Sequence, residues 1–157
     1  MVFANSAGEP AAIGLVFWGR PHSGLRPWAD LVVTDASILP DLARMLGPGA
    51  SLMVSYEGDD TEWALRRKVP PQATPLGLAL LAAGCRWLKD WYFPEGGLEG
   101  GTKLQGTIPL GDAQRRERSK KLLEELEIWE KQADRKIAHR ARGWVEEARK
   151  ILLDDIR

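Results

Sequence analysis

Three places along this chain gather side chains that could do chemistry. Tyr56 and Glu57 close an apolar run and are followed by Asp59, Asp60 and Glu62. Asp35 closes an earlier run in the same way. Asp90 and Lys103 flank a glycine-rich stretch, Glu95-Gly96-Gly97-Leu98-Glu99-Gly100-Gly101. Glycines let a backbone approach a ligand closely and expose its N–H groups. Glu57 or Glu95 is suited to act as a general base and Tyr56 as a proton donor. The catalytic candidates are therefore Tyr56, Glu57, Asp90 and Glu95. The ligand-binding candidates are Asp35, Trp91, Gly96, Gly97, Glu99, Gly100, Gly101 and Lys103. Solvated loop acids on a hairpin connection are the plainer alternative, and no metal set is assigned.

Other side chains read more simply. Trp87, Lys89, Trp91 and Phe93 alternate with Leu88, Asp90 and Tyr92, so they share one face of a strand. A lysine between two tryptophans is costly to bury unpaired, which predicts that this face is at least partly open. Arg20, His22 and Arg26 make a small basic patch able to meet an anion. Cys85 follows Gly84 with no histidine nearby and reads as a small buried residue.

Positioning these groups takes alternating strands and helices. Residues 12–18 and 29–34 are apolar and rich in β-branched side chains, so they read as strands joined by a loop of about ten residues. Ser37 is placed to cap a helix over 38–46, with Pro40 in its first turn. Gly47-Pro48-Gly49 stops it. Residues 50–56 form a third strand, and Thr61 is placed to cap a helical turn over 62–68. Thr74 before Pro75 starts a helix that Gly84 ends. Residues 86–93 and 103–108 are the last two strands. The expectation is an α/β domain: a mixed β-sheet of about five strands with flanking helices and a hairpin at each end.

Composition changes abruptly at Gly111. All ten prolines precede it, and Gly143 is the only glycine after it. Two domain-scale segments follow, an α/β core over 1–111 and a charged amphipathic helical extension over 112–157. In the extension, apolar residues from Leu122 and Leu126 through Trp129, Ala133, Ile137, Ala141, Trp144 and Ala148 to Ile151 recur at steps of three and four, a helical stripe. Unbroken, that helix would be roughly 65 Å long. It must fold back, wrap the core or meet another chain, so homo-oligomerisation through residues 112–157 is one expectation. Gly143 is a candidate bend.

The totals exclude several classes. The 157 residues carry 22 basic and 22 acidic side chains, a balance that argues against a nucleic-acid binder. A single cysteine excludes an intrachain disulfide and a multi-cysteine zinc site. The longest nearly apolar stretch, 76–85, is about half of what a membrane span needs. Met1-Val2-Phe3-Ala4-Asn5 has no basic region before an apolar run, so no targeting leader is expected. The expectation is a cytoplasmic protein, and the high charged share leans toward a heat-adapted source.

Two stretches carry a resemblance. Pro70-Pro71-Gln72-Ala73-Thr74-Pro75-Leu76-Gly77 and Trp87-Leu88-Lys89-Asp90-Trp91-Tyr92-Phe93-Pro94-Glu95-Gly96 resemble an uncharacterised family, mainly archaeal and also bacterial, known only as a domain of unknown function. The likeness covers residues 31–109 and implies no reaction. More distantly, the order of elements resembles the later part of a GNAT acyltransferase. That likeness implies acyl-CoA as cofactor, its pyrophosphate cradled by the loop after the second strand, here Thr34-Asp35-Ala36-Ser37-Ile38. Asp30-Leu31-Val32-Val33-Thr34-Asp35 and Leu46-Gly47-Pro48-Gly49-Ala50-Ser51-Leu52 also resemble the fourth and fifth strand regions of a Rossmann-type methyltransferase. That would imply a truncated domain without its own cofactor motif. Three functions follow: an acyltransferase or acyl-CoA binder with a small-molecule site, a non-enzymatic protein that assembles through its tail, or a methyltransferase remnant.

Overall fold

Glycine and proline cut the first part of the chain into short elements. The computed structural model describes residues 1–94 and 101–157. Its elements run β1 (Val2–Ala4), β2 (Pro10–Phe17), β3 (Trp28–Val33), α1 (Leu39–Leu46), β4 (Ser51–Ser55), α2 (Asp60–Arg66), α3 (Pro75–Ala82), β5 (Trp87–Phe93), β6 (Gly101–Thr107), α4 (Asp112–Gln132) and α5 (Arg135–Ile156). The mixed α/β class is as expected. The sheet has six strands rather than about five, because Val2–Ala4 adds a short edge strand to β2.

Two helix starts differ from expectation. Asp35, not Ser37, is the cap: its carboxylate accepts the Ser37 N–H and opens a 3-10 turn leading into α1. Asp59, not Thr61, caps α2 by accepting the Glu62 N–H. Both corrections have one cause, since a carboxylate stands two residues before the hydroxyl in each case. Thr61 lies inside the helix, fully buried, and accepts the Leu76 N–H. Thr74 caps α3 as expected, accepting the Gly77 N–H. Gly77 is required there, because a Cβ would stand 1.7 Å from the Pro71 carbonyl oxygen.

The strand order is β1-β2-β3-β4-β6-β5. β3 and β4 are parallel, with α1 as their crossover, and the other four described pairings are antiparallel. A Rossmann-type sheet is built from parallel strands, so this sheet does not carry the methyltransferase-like resemblance. The hairpins β2–β3 and β5–β6 are where the turn signals put them.

Alternation divides the sheet into two unlike faces. Ala29, Leu31, Leu52, Val54 and Leu104 point to one side and pack with Leu39 and Leu42 of α1 and Leu80 of α3. Cys85 is sealed into this layer, with its thiol pushed up to about 12 by burial. A second apolar cluster joins Ala64, Val69, Ala73 and Leu81 to α4 and α5. The opposite face carries no helix over β2 and β3 among the described residues. There Ile13, Leu15, Trp28 and Val32 are between 40% and 67% exposed.

The tail folds back on itself. The break falls at Ala133 and Asp134, and Gly143 lies inside α5. The Asp134 carboxylate caps α5 by accepting the N–H groups of Lys136 and Ile137. The predicted stripe is the face that becomes covered. Leu122, Leu126, Ala141 and Ala148 are buried, with Trp129, Ile137, Trp144 and Ile151 packed against them. Arg86 locks the last turn to the core. It donates to Asp155 and to the carbonyls of Leu81 and Cys85, while Ser119 of α4 also donates to Asp155. No helix among the described residues is long and apolar enough to cross a membrane.

Candidate functional site

The open face of the sheet holds a group that a solvated surface has no need of. Lys103, on β6, is 3% exposed, and its ammonium reaches across β4 to Asp30 on β3, donating to both carboxylate oxygens at 2.7 and 2.9 Å. Asp30 is 28% exposed. A buried lysine is tolerated where it is paired, and here the pair forms the floor of a groove of about 420 Å³.

Strand register supplies the rest of the groove. Trp28 faces Ser51 across the parallel pair, and Asp30 faces Met53. Ser51 faces Thr107 and Met53 faces Gln105 across β4 and β6. The polar members form one relay. The Trp91 indole N–H donates to the Gln105 side-chain carbonyl at 2.8 Å, Gln105 donates to Ser51 at 3.2 Å, and the Ser51 and Thr107 hydroxyls are 2.9 Å apart. Aromatic rings form the walls. Trp28 stacks on Phe17 with centroids 5.8 Å apart, and Phe93 stacks on Trp91 at 6.1 Å. Lys89 is exposed, its ammonium 3.9 Å above the Trp91 ring. The face is thus open, as a lysine among tryptophans required.

Three of the catalytic candidates, Tyr56, Glu57 and Asp90, are described, and they lie outside this groove. Tyr56 follows β4 on the helix-covered side and is 5% exposed. Its hydroxyl donates to Asp90, and its carbonyl accepts the Thr102 hydroxyl at 2.8 Å. Burial, and then the hydrogen bond to Asp90, push the Tyr56 phenol well above its ordinary value. Glu57 lies against Gly101 at a cleft of about 470 Å³ that also meets Glu62, Arg66 and Tyr92. Glu62 is already engaged by Arg66 and by the Gly58 N–H.

The remaining candidates scatter. Lys103 and Trp91 belong to the open face, in register with each other on β6 and β5. Asp35 stands apart from both clefts. Hydrogen bonds from Ser37 and Asn5 hold its carboxyl below the ordinary value. Asp35 follows β3 and Glu57 follows β4, two parallel neighbours, and Glu57 lines the cleft of about 470 Å³. Glu95, Gly96, Gly97, Glu99 and Gly100 lie outside the described residues. Among the described residues, no cluster of three His, Cys, Asp or Glu side chains could hold a metal ion.

Asp30, Ser51, Met53 and Gln105 escaped the sequence reading. Asp30 carried the one available signal: a carboxylate inside the apolar run Ala29-Asp30-Leu31-Val32-Val33. Its partner is 73 residues away, a distance that no local spacing encodes.

Fold and site together define an α/β protein with a helix-covered face and an open, aromatic-walled one. Residues 33–132 match the family model described as "Protein of unknown function (DUF1122)", and the chain belongs to that family. Among solved structures it is similar to a protein of unknown function from Aquifex aeolicus VF5. The two are 24% identical with a TM-score of 0.69, over 88% of this chain and 77% of that one. The likeness concerns the fold. A search of curated proteins found no match.

Proposed function

We propose that this protein binds a small organic molecule in the groove on the open sheet face, with an acyltransferase-like sheet as its scaffold. The observation that carries the reading is the Lys103–Asp30 pair sunk beneath aromatic walls. A sheet face built only to meet water has no use for a lysine that is 3% exposed. Concave, mostly apolar sites with a few fixed polar groups are the usual form of a ligand pocket, at about 300–1,000 Å³. The Trp91–Gln105–Ser51–Thr107 relay fixes those polar groups in advance, which lowers the ordering cost of binding.

The acyltransferase-like reading rests on the parallel β3–β4 pair with α1 between its strands. The cofactor that the likeness implies does not fit its loop. Residues 34–38 have no glycine, and the Asp35 carboxylate already accepts the Ser37 N–H. A pyrophosphate would meet a negative charge where it needs free donors. No acyl-transfer step is therefore assigned.

A thermal-shift panel tests the reading, since a ligand of the native state raises apparent stability. Small aromatic and acyl compounds should raise the melting temperature of the native protein, and the rise should vanish in Trp28→Ala. Acyl-CoA should give no shift. A shift with acyl-CoA that survives Trp28→Ala would overturn the proposal and restore the loop at 34–38 as the site.

A further inference from the structure

We infer that the groove selects an organic anion: a carboxylate or comparable acidic head on a flat, apolar body. The inference rests on the groove being a ligand site and adds the charge and shape of what enters it. It follows from which polar groups of the groove are already committed.

The Gln105 amide is used at both ends, its oxygen by Trp91 and its nitrogen by Ser51. The Ser51 hydroxyl is shared between Gln105 and Thr107. Lys103 and Asp30 offset one another, and both Asp30 oxygens accept from the same ammonium. Arg26, at the rim, has no carboxylate within salt-bridge distance among the described residues. Its stem runs beside Gly49, where a Cβ would stand 3.2 Å from Cδ and 3.4 Å from Nε. Lys89, on the same face, also has no ion-pair partner among the described residues and rests on the Trp91 ring.

Among the described residues the groove is therefore positive, and its lining charge without an ion-pair partner is a guanidinium, the side chain best shaped to grip a carboxylate through two parallel bonds. A cationic head would meet Arg26 and Lys89, and would have to compete with Lys103 for Asp30. The body is set by Trp28, Phe93 and Met53. Two of these are rings already stacked on neighbours, and rigid rings lose little freedom when a flat molecule lies against them. A volume of about 420 Å³ fits one such molecule and not a macromolecular segment.

Titration calorimetry at low salt with three probes of nearly one shape tests this: naphthoate, its neutral amide naphthamide, and the cationic naphthylmethylamine. Naphthoate should bind about tenfold more tightly than naphthamide, the scale of one charge-assisted hydrogen bond, and the amine weakest. Arg26→Gln should weaken naphthoate by about tenfold and naphthamide by less, bringing the two toward equal affinity. Trp28→Ala should weaken naphthoate and naphthamide alike. Equal binding of acid and amide, or tightest binding of the amine, would overturn the anion while leaving the groove as the site. Failure of all three probes, or binding indifferent to Trp28→Ala, would remove the groove itself.

Discussion

Lys103 and Asp30 divide their exposure unevenly, and the division sets what each contributes. The ammonium is 3% exposed and the carboxylate 28%. Asp30→Asn leaves a positive charge enclosed without its counter-ion. Lys103→Met leaves a carboxylate that water can still reach. Removing one partner of a buried pair costs about 3–5 kcal/mol, and less where the remaining charge stays hydrated. Asp30→Asn should therefore lower unfolding free energy by about 3 kcal/mol and Lys103→Met by about 1 kcal/mol, measured by urea denaturation. Equal losses, or the reverse order, would contradict this account of the floor. At this scale the sequence was readable for groups that act locally. Thr74 as a cap and Cys85 as a small buried residue both follow from their immediate neighbours. The Asp30–Lys103 pair depends on two strands brought together by β4, and residue types along the chain carry no record of that.

At the scale of elements, α5 is held by the charge at its end as much as by its apolar stripe. Burial alone would raise the Asp155 carboxyl. Hydrogen bonds from Arg86 and Ser119, with the charges of Arg86 and Arg115, outweigh burial and hold it below its ordinary value. A carboxyl depressed in the folded state adds stability above its unfolded value, and that stability is lost as pH falls through the folded one. Asp155→Asn should be about 3 kcal/mol less stable than the native protein near neutrality. The gap should close below about pH 4, as urea midpoints taken across that range would show. A gap unchanged in acid would mean that packing, not this carboxylate, holds the helix. The period of the tail was legible because its stripe is the buried face. Its break was not, because Ala133 and Ile137 keep the spacing on either side of the turn. The physical mark of the break was Asp134, a carboxylate that accepts two N–H groups at the start of α5. Gly143 misled because a lone glycine inside a helix costs only about 1 kcal/mol.

For the whole molecule, the change of composition at Gly111 coincides with the start of α4. The packing crosses that line. Ala64, Val69, Ala73 and Leu81 lie before it, and their apolar partners Leu126, Ala141, Val145 and Leu152 lie after it. A chain ending at Gly111 would expose the first group and leave the Arg86 guanidinium without Asp155. Such a truncation should lose cooperative thermal unfolding and bind a hydrophobic dye. A sharp transition close to that of the full chain would show that residues 1–111 hold together alone. The fold class was open to reading because turn residues and alternation act within a few positions. The open face was legible only in part. Lys89 among tryptophans marked it, while Ile13, Leu15 and Val32 on β2 and β3 look like any core strand until the helices are known to lie on the other side.

The tie between Arg86 and Asp155 also sets an order in time. The two residues are 69 positions apart. At the pace of ribosomal synthesis, the aspartate emerges roughly 3 to 14 seconds after the arginine. Until then the guanidinium has, among the described residues, the carbonyls of Leu81 and Cys85 to meet it. The sheet can pair during that interval, but its helical side stays uncovered, and the nascent chain is most open to chaperones and proteases there.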